Sequence, residues 1–259
     1  MSRALVAGWR LLRVLLHGLH GLAIVLMRFG SLPEARRHAL IGWWSAKLLR
    51  LLGLRLVAAG TPRPGAKLVV ANHVSWLDIA AIHAVLPEAR FVSKSDVKHW
   101  PLVGRLVAGA GTLFIERESK RDALRVVHQS ADALRAGDTV AVFPEGTTGA
   151  GPALLPFLAN LLQAAVATGV PVQPVVLRFA DAQHAFSPAV EFVGDTTLAQ
   201  SLWRILCARQ LQAHVTVLSA EGSRHADRRA LAEHLRGVIG EALAQATNAP
   251  QGPTAWRRP

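Results

Sequence analysis

The chain has 259 residues, of which 51% are hydrophobic, a high share for a soluble globular protein. Its length suits one large domain, or one domain with an appendage. Its single cysteine, Cys207, excludes an intramolecular disulfide framework and any multi-cysteine metal site.

The positive charge is concentrated at the amino terminus. The whole chain carries a formal net charge of +12, and residues 1–60 hold nine lysines and arginines against one acid, Glu34, which leaves +8 in that segment. A basic excess attracts nucleic acid or an anionic membrane surface. Here the basic residues interrupt apolar segments, and aromatic residues are only 6% of the chain. We therefore expect a membrane lipid as the partner and no nucleic acid.

Two amphipathic helices are predicted before residue 60. In residues 4–29 four basic or imidazole side chains recur at spacings of three or four and share one helical stripe: Arg10, Arg13, His17 and His20. Residues 39–57 repeat this pattern, and Gly30–Pro33 forms a turn between the two. We expect an antiparallel pair that lies in one leaflet of a membrane.

Two other arrangements of these helices stay open. The pair can be an ordinary amphipathic hairpin packed on the domain, or residues 4–29 can form a single spanning helix. The longest uncharged run, Val14 to Met27, has 14 residues, whereas a spanning helix needs about 20. No small-residue cleavage site follows, which argues against a signal peptide.

After a linker at residues 60–65, strand-like and helix-like segments alternate. The predicted strands are residues 67–71, 90–93, 112–115, 139–143, 170–179, 190–193 and 213–218. The predicted helices are residues 77–85, 119–136, 156–168 and 227–244. This alternation predicts an α/β domain, a mixed and largely parallel sheet flanked by helices, preceded by the membrane-associated amphipathic helix pair. The expected divisions are 1–60, 61–247 and a flexible tail at 248–259.

Three of the predicted strands end in polar residues. The first is followed by Asn72-His73 and, five residues after the histidine, by Asp78. A histidine next to a carboxylate can act as a general base, because the carboxylate fixes the imidazole tautomer and stabilises the imidazolium. On one regular helix the two side chains point about 140° apart, so the pair requires His73 to lie in the turn before the helix.

The other two polar strand ends supply further charged and flexible groups. One is the stretch from Gly111 to Arg117, and the other is Phe143-Pro144-Glu145-Gly146-Thr147-Thr148-Gly149. The small residues of the latter let backbone N–H groups approach an anion. It is not a nucleotide P-loop, since no Gly-Lys-Ser/Thr follows.

Taken in order, these stretches resemble the motifs of the glycerolipid acyltransferase family, which includes 1-acylglycerol-3-phosphate acyltransferases. His73 and Asp78 match its His-x4-Asp motif, and Gly111 to Arg117 match Gly-x-x-Phe-Ile-Asp/Glu-Arg. Phe143 to Thr147 match the start of Phe-Pro-Glu-Gly-Thr-Arg-Ser, and residues 170–175 look like the family's proline-containing strand. The similarity spans roughly residues 65–180. It implies acyl transfer from acyl-CoA or acyl carrier protein to a lysolipid hydroxyl at the membrane surface.

The resemblance assigns a role to each matching residue. His73 deprotonates the acceptor hydroxyl, and Asp78 orients the imidazole of His73. No protein nucleophile takes part. Arg117 binds an anionic head group as a forked donor. The acceptor's polar head is held by Glu145 with Gly146 and Thr147. Lys94 is a further candidate for the phosphate.

The same resemblance carries over to cofactors and location. The acyl thioester is a co-substrate, no cofactor is expected, and no side-chain spacing indicates a metal site. We expect the protein at the cytoplasmic face of the inner membrane, either monotopic or with one N-terminal spanning helix.

One departure from the family's pattern leaves the acceptor open. Thr148 stands where the family's third motif usually has arginine, which removes one strong phosphate donor. The first candidate acceptor is 1-acylglycerol 3-phosphate, giving phosphatidic acid, and the alternative is another lysolipid such as lyso-ornithine lipid. Arg178 is a candidate replacement donor. A His/Asp-dependent hydrolase and a non-catalytic membrane-binding module are the competing classes of function.

Overall fold

The computed structural model of the chain describes residues 3–94, 97, 99, 100, 103–115 and 120–248. Over these residues the helices are α1 Arg3–Arg28, α2 Glu34–Leu52, α3 Leu77–Val85, α4 Val103–Gly109, α5 Lys120–Arg135, α6 Gln163–Thr168, α7 Leu198–Cys207 and α8 Arg228–Asn248. The strands are β1 Leu54–Ala59, β2 Lys67–Ala71, β3 Ala89–Lys94, β4 Leu113–Ile115, β5 Thr139–Val142, β6 Val172–Ala180 and β7 Leu211–Val217.

The strands form one sheet in the order β1-β7-β6-β2-β5-β3-β4. The five strands from β6 to β4 are parallel, β7 is antiparallel to β6, and β1 is parallel to β7. The predicted α/β class with a mixed, largely parallel sheet is confirmed. β2 and β6 are buried at every residue, as expected for strands covered on both faces.

Helices pack on both faces of this sheet. On one face, leucines and alanines of α2, α3 and α7 contact alternate residues of the strands, and on the other face α5, α6 and α8 do so. β2 and β5 are neighbours, with Val70 opposite Val142. The segments that follow them therefore leave the sheet side by side at its carboxyl edge, where parallel sheets build their sites.

The α1–α2 hairpin packs on the domain along its length. The guanidinium of Arg10 donates to the carbonyls of Leu206 and Ala208, both at 2.9 Å, at the carboxyl end of α7. The indole of Trp44 donates to the carbonyl of His17 at 3.1 Å, and a Cβ at Gly21 would lie 2.3 Å from the same indole nitrogen. Glycine at position 21 is therefore what lets α2 approach α1.

The outer side of α1 is apolar and exposed. Its leucines and tryptophan recur at helical spacing and form the apolar stripe, defined as Leu5, Trp9, Leu12, Leu16, Leu19 and Leu26. Each of these side chains is at least 48% exposed. Among the described residues α1 is also the one helix whose length and composition are sufficient to cross a membrane.

Several predicted boundaries differ from the structure. Residues 54–57 were assigned to the second helix and 54–59 to the hairpin division, yet they form the edge strand β1. The reason is Gly53, which ends α2 in the left-handed region (φ 93°), after which Leu54, Leu56 and Ala58 turn inward alternately.

Further along the chain, four other segments differ. Residues 190–193 form no strand, and the carbonyl of Phe192 accepts a hydrogen bond from the Thr148 hydroxyl. The helix predicted at 156–168 is a 3-10 turn, Ala159–Leu162, followed by α6. Helices α4 and α7 were not predicted, although α7 begins with a capping box of Thr197 and Gln200. The tail from residue 249 lies outside the described residues.

Candidate active site

His73 and Asp78 meet at the carboxyl edge of the sheet. His73 lies in the turn between β2 and α3, and Asp78 lies in the first turn of α3, which is the arrangement that the pair requires. Asp78 is fully buried, and its Oδ2 lies 2.7 Å from Nδ1 of His73. The imidazole side chain keeps 19% of its surface exposed. When Nδ1–H donates to the carboxylate, Nε2 is left as the basic nitrogen.

The Asp78 carboxylate is held by backbone donors. Its Oδ2 also accepts the N–H of Val74 at 2.6 Å and the N–H of Ser75 at 2.9 Å. These two amides belong to the turn that carries His73, so the carboxylate fixes the turn and the ring together. One carboxylate oxygen therefore orients the imidazole and also holds the backbone that carries it.

The main chain of His73 is fixed on both sides by the Glu145 loop. Its N–H donates to Oε1 of Glu145 at 2.7 Å, and its carbonyl accepts the N–H of Gly149 at 2.8 Å. The other carboxylate oxygen of Glu145 accepts the N–H of Leu155 at 2.8 Å. Glu145 is 7% exposed, and this burial raises the pKa of its carboxyl group. The loop after β5 therefore positions the turn after β2 that carries His73.

The imidazole ring lies flat against an aromatic side chain. Phe143, the residue after β5, stacks on His73 with the ring centroids 4.0 Å apart and the planes 9° from parallel. Phe91 of β3 stacks in turn on Phe143 at 5.5 Å. Combined with the Asp78 hydrogen bond, the stacking leaves the ring one orientation.

Two neighbours of His73 tie its turn to distant elements. The amide of Asn72 donates to the carbonyl of Leu177 and accepts the N–H of the same residue, each at 2.8 Å, which extends the β2–β6 pairing by side chain. The indole of Trp76 donates to the hydroxyl of Ser201 on α7 at 3.1 Å. Asn72 and Trp76 are thus positioning residues whose partners lie over a hundred residues away.

The structure describes only some of the remaining predicted site residues. Gly146 follows Glu145 with φ of +72°, a conformation that favours glycine, and Thr147 is exposed beside it. Lys94 ends β3 opposite Ile115, and its side chain is not among the described ones. Arg117 lies outside the described residues. The described structure thus brings together His73, Asp78 and Glu145, and the anion-binding roles of Arg117 and Lys94 stay predictions.

Two further observations concern the acceptor and metals. The hydroxyl of Thr148 donates to the Phe192 carbonyl, so it faces the loop at residues 190–193. Arg178, the suggested replacement donor, is 6% exposed and donates to the carbonyl of Ala185 at 3.1 Å. No group of three His, Cys, Asp or Glu side chains with metal-binding geometry occurs within the described ranges.

Sequence reasoning missed the groups that hold the turn that carries His73. Phe143 and Gly149 lie in the third motif, and only their position beside Glu145 could have suggested a role. Leu155 carries no signal at all, since its contribution is a backbone N–H brought back by the loop. The Asn72–Leu177 pairing depends on the register between β2 and β6.

Comparison with known proteins places the chain among acyltransferases. The Acyltransferase family model matches residues 59–178. A 1-acyl-sn-glycerol-3-phosphate acyltransferase of Neisseria meningitidis is 37% identical over 218 residues, covering 82% of this chain and 85% of the relative. A lyso-ornithine lipid O-acyltransferase of Pseudomonas aeruginosa is 36% identical over 250 residues, covering 93% of each chain.

A solved structure shares the fold. The crystal structure of the 1-acyl-sn-glycerophosphate acyltransferase PlsC from Thermotoga maritima superimposes with a TM-score of 0.67 and covers 94% of this chain and 100% of that one. The two sequences are 20% identical, so this likeness is one of architecture.

Proposed function

The chain belongs to the glycerolipid acyltransferase family, and on that premise we propose that it transfers a fatty acyl group from an acyl thioester to the hydroxyl of a lysolipid. The observation that carries the proposal is the 2.7 Å contact between His73 Nδ1 and the buried Asp78 carboxylate. That contact leaves Nε2 as a base on a ring whose orientation is fixed.

The proposed reaction needs only this pair for its proton transfers. Nε2 of His73 takes the proton of the acceptor hydroxyl, and the hydroxyl oxygen attacks the thioester carbonyl carbon. The tetrahedral intermediate collapses, the C–S bond breaks, and the leaving thiolate takes the proton back from Nε2. The ionised Asp78 stabilises the imidazolium between the two transfers. The products are the acylated lipid and the free thiol of the donor.

Within this proposal Glu145 acts on His73 rather than on substrate alone. Both of its oxygens already accept backbone N–H groups, one of them from His73 itself. Its role in holding the acceptor's polar head, together with Gly146, Thr147, Arg117 and Lys94, stays a prediction.

The acceptor we favour is 1-acylglycerol 3-phosphate, which the reaction converts to phosphatidic acid. Lyso-ornithine lipid is the second candidate, for two reasons. Thr148 replaces the family's arginine and its hydroxyl is engaged by Phe192, so this position supplies no phosphate donor. The relative that acts on lyso-ornithine lipid also aligns over 93% of the chain. The donor is acyl-CoA or acyl carrier protein, with no resident cofactor.

We further propose that the protein binds in the plane of the membrane at its cytoplasmic face. α1 contacts α7 through Arg10, α2 through His17, and α4 through Val25, whose side chain lies against Gly109. A helix held along its length in this way presents the apolar stripe sideways to a leaflet. Protease cleavage of either terminus from the far side of sealed vesicles would instead indicate that α1 spans.

An acceptor panel tests the catalytic proposal. The purified protein receives one labelled acyl-CoA together with 1-acylglycerol 3-phosphate, lyso-ornithine lipid, glycerol 3-phosphate or another lysophospholipid, and both thiol release and labelled lipid are measured. We expect both signals with one acceptor class, and loss of both in His73→Ala.

His184→Ala is the matched control for that variant. His184 contacts Asp181 at 2.9 Å in an exposed His/Asp pair, so the same substitution there should preserve turnover. Full activity in His73→Ala contradicts the mechanism. Thiol release without any acceptor indicates a hydrolase, and vesicle binding without turnover on any acceptor indicates a non-catalytic membrane module.

A further inference from the structure

A groove of about 870 Å³ runs between the two hairpin helices. It lies between the Gly21–Trp44 contact and the turn that connects α1 to α2. Its walls are mostly apolar: Ala23, Ile24, Met27, Ala39, Leu40 and Trp43. The volume falls within the roughly 300–1,000 Å³ typical of small-molecule sites. We call this feature the hairpin groove.

Two arginines line the end of the hairpin groove that is nearest the turn. Arg28 ends α1 and Arg36 lies in the first turns of α2, and both side chains are exposed. Within the described part of the chain neither guanidinium forms a salt bridge, and the nearby Glu34 instead places its Oε1 3.7 Å from Nε2 of His38. The groove therefore has an apolar length and a cationic end.

We propose that the hairpin groove binds one anionic phospholipid of the bilayer, with an acyl chain along its apolar wall and the phosphate against Arg28 and Arg36. This charge and shape match an amphiphile with a net negative head group, and arginine is the side chain best suited to a phosphate. The groove also lies on the hairpin that carries the apolar stripe, where a bilayer lipid is at hand. The inference rests on the proposed membrane association and not on acyl transfer.

A small side chain keeps the hairpin groove open. Ala39 is one of its wall residues, so an indole at this position would occupy the space of the lipid chain. Ala35 lies one turn earlier on α2, is exposed, and does not line the groove. Tryptophan in general strengthens attachment to a membrane interface. If Ala39→Trp blocks the groove, lipid retention falls. If the new tryptophan only strengthens non-specific attachment, lipid retention rises.

Lipid retention by the purified full-length protein tests the proposal. The protein in detergent micelles is mixed with equal amounts of phosphatidylglycerol and phosphatidylcholine, and bound lipid is counted by native mass spectrometry. We expect one phosphatidylglycerol per chain in preference to phosphatidylcholine. In R28Q/R36Q this retention should fall about 25-fold, about fivefold for each arginine near an anionic lipid.

Matched variants separate the groove from net charge. R37Q/R50Q removes the same two charges from exposed positions of α2 that do not line the groove, and it should change retention less than twofold. Ala39→Trp should lower phosphatidylglycerol retention, whereas Ala35→Trp should not. Equal losses in the two arginine pairs, or equal retention of the two lipids, overturn the proposal.

Two further outcomes distinguish the lipid site from the site of acyl transfer. One-for-one displacement of phosphatidylglycerol by the lysolipid acceptor overturns the proposal, because it assigns the groove to the acceptor. His73→Ala should retain the anionic lipid while acyl transfer is lost. A failure of the lipid site is therefore distinguishable from a failure of the proposed reaction.

Discussion

At the carboxyl edge of the sheet the polar side chains are buried, whereas on the α1–α2 hairpin the apolar side chains are exposed. Asp78 is fully buried and Glu145 is 7% exposed, and both accept backbone N–H groups. On α1, Trp9 and Leu16 are each 57% exposed. Both arrangements cost free energy in water, since buried carboxylates lose hydration and exposed leucines order solvent.

The two regions offset that cost differently. At the sheet edge the compensation lies within the fold, because each buried carboxylate receives two or more hydrogen bonds. On the hairpin the side chains of the apolar stripe stay at least 48% exposed within the described structure, so a partner such as a lipid leaflet can supply the compensation. We infer that the sheet edge carries out the reaction and that the hairpin attaches the protein to the membrane. Substitutions at the sheet edge should then leave vesicle binding unchanged, and substitutions on the hairpin should leave turnover unchanged.

Asp78→Asn should have the largest effect on turnover. The asparagine loses the negative charge that stabilises the imidazolium, although its one oxygen can still accept the Val74 and Ser75 N–H groups that now bond to Oδ2. In a serine protease triad, asparagine in place of the aspartate lowers kcat by about 10⁴-fold through the wrong tautomer, and we expect a loss on the order of 10³–10⁴. Steady-state kinetics with detergent-dispersed acceptor measures it.

Asp132→Asn is the control for that substitution. Asp132 is an exposed carboxylate paired with Arg135 at 2.9 Å, and its loss should change kcat less than twofold. A folded Asp78→Asn protein that keeps more than a tenth of its turnover contradicts the role given to the pair. Vesicle binding should be the same in both variants, because neither residue lies on the hairpin.

Glu145→Gln should have a smaller effect, directed at kcat. Glutamine keeps one acceptor but turns an NH2 group toward a backbone N–H, so it loses one of the two contacts to His73 and Leu155. A hydrogen bond to a charged group contributes about 1.5–3 kcal/mol, which corresponds to a loss of roughly 10- to 100-fold. If Glu145 positions His73, kcat falls equally for every acceptor. If it only binds head groups, the KM of one acceptor rises instead.

The difference in stability between the wild type and Glu145→Gln should also depend on pH. Burial raises the pKa of the folded carboxyl group, so the folded state favours its protonated form. The wild type is then most stable relative to the variant at acid pH, and that advantage declines as pH rises through the raised pKa. Thermal unfolding of both proteins between pH 4 and pH 7 measures the difference. A relative stability that rises with pH contradicts the direction of the shift.

These residues also show what the sequence could and could not reveal. The five-residue spacing, combined with helix geometry, required His73 to precede α3, and it does. The alternation of strands and helices was sufficient for the mixed parallel sheet. The edge strand β1 was missed because a leucine-rich segment continues the helical composition of α2, and only Gly53 marks the change. Local composition cannot show that residues 54–59 pair with residues more than 150 positions later.

The backbone groups that hold His73 and Glu145 in place could not be predicted from the sequence, for the same reason. The backbone N–H groups of Gly149 and Leu155 reach His73 and Glu145 only after the loop beyond β5 has folded back. Residue identity at a fixed spacing therefore indicated His73 and Asp78, the proposed reacting groups, whereas their immobilisation arises from long-range pairing. The apolar face of α1 was predicted, and packing of the hairpin on the domain was one of the alternatives, but the contact of Arg10 with the end of α7 was not predicted.

The smallest effect on turnover is expected on the hairpin. Leu16→Ser removes one exposed leucine of the apolar stripe, so partition of the protein onto anionic vesicles should fall about tenfold, in line with roughly 1.5 kcal/mol for a leucine withdrawn from a lipid environment. Turnover in detergent should change less than twofold, because Leu16 is remote from the hydrogen bonds of His73. Leu124→Ser is the matched control, since Leu124 is 61% exposed on α5. An equal loss of vesicle binding in Leu124→Ser shows that the membrane contacts the α5 face as well, and the separation between a catalytic region and a membrane-binding region then fails.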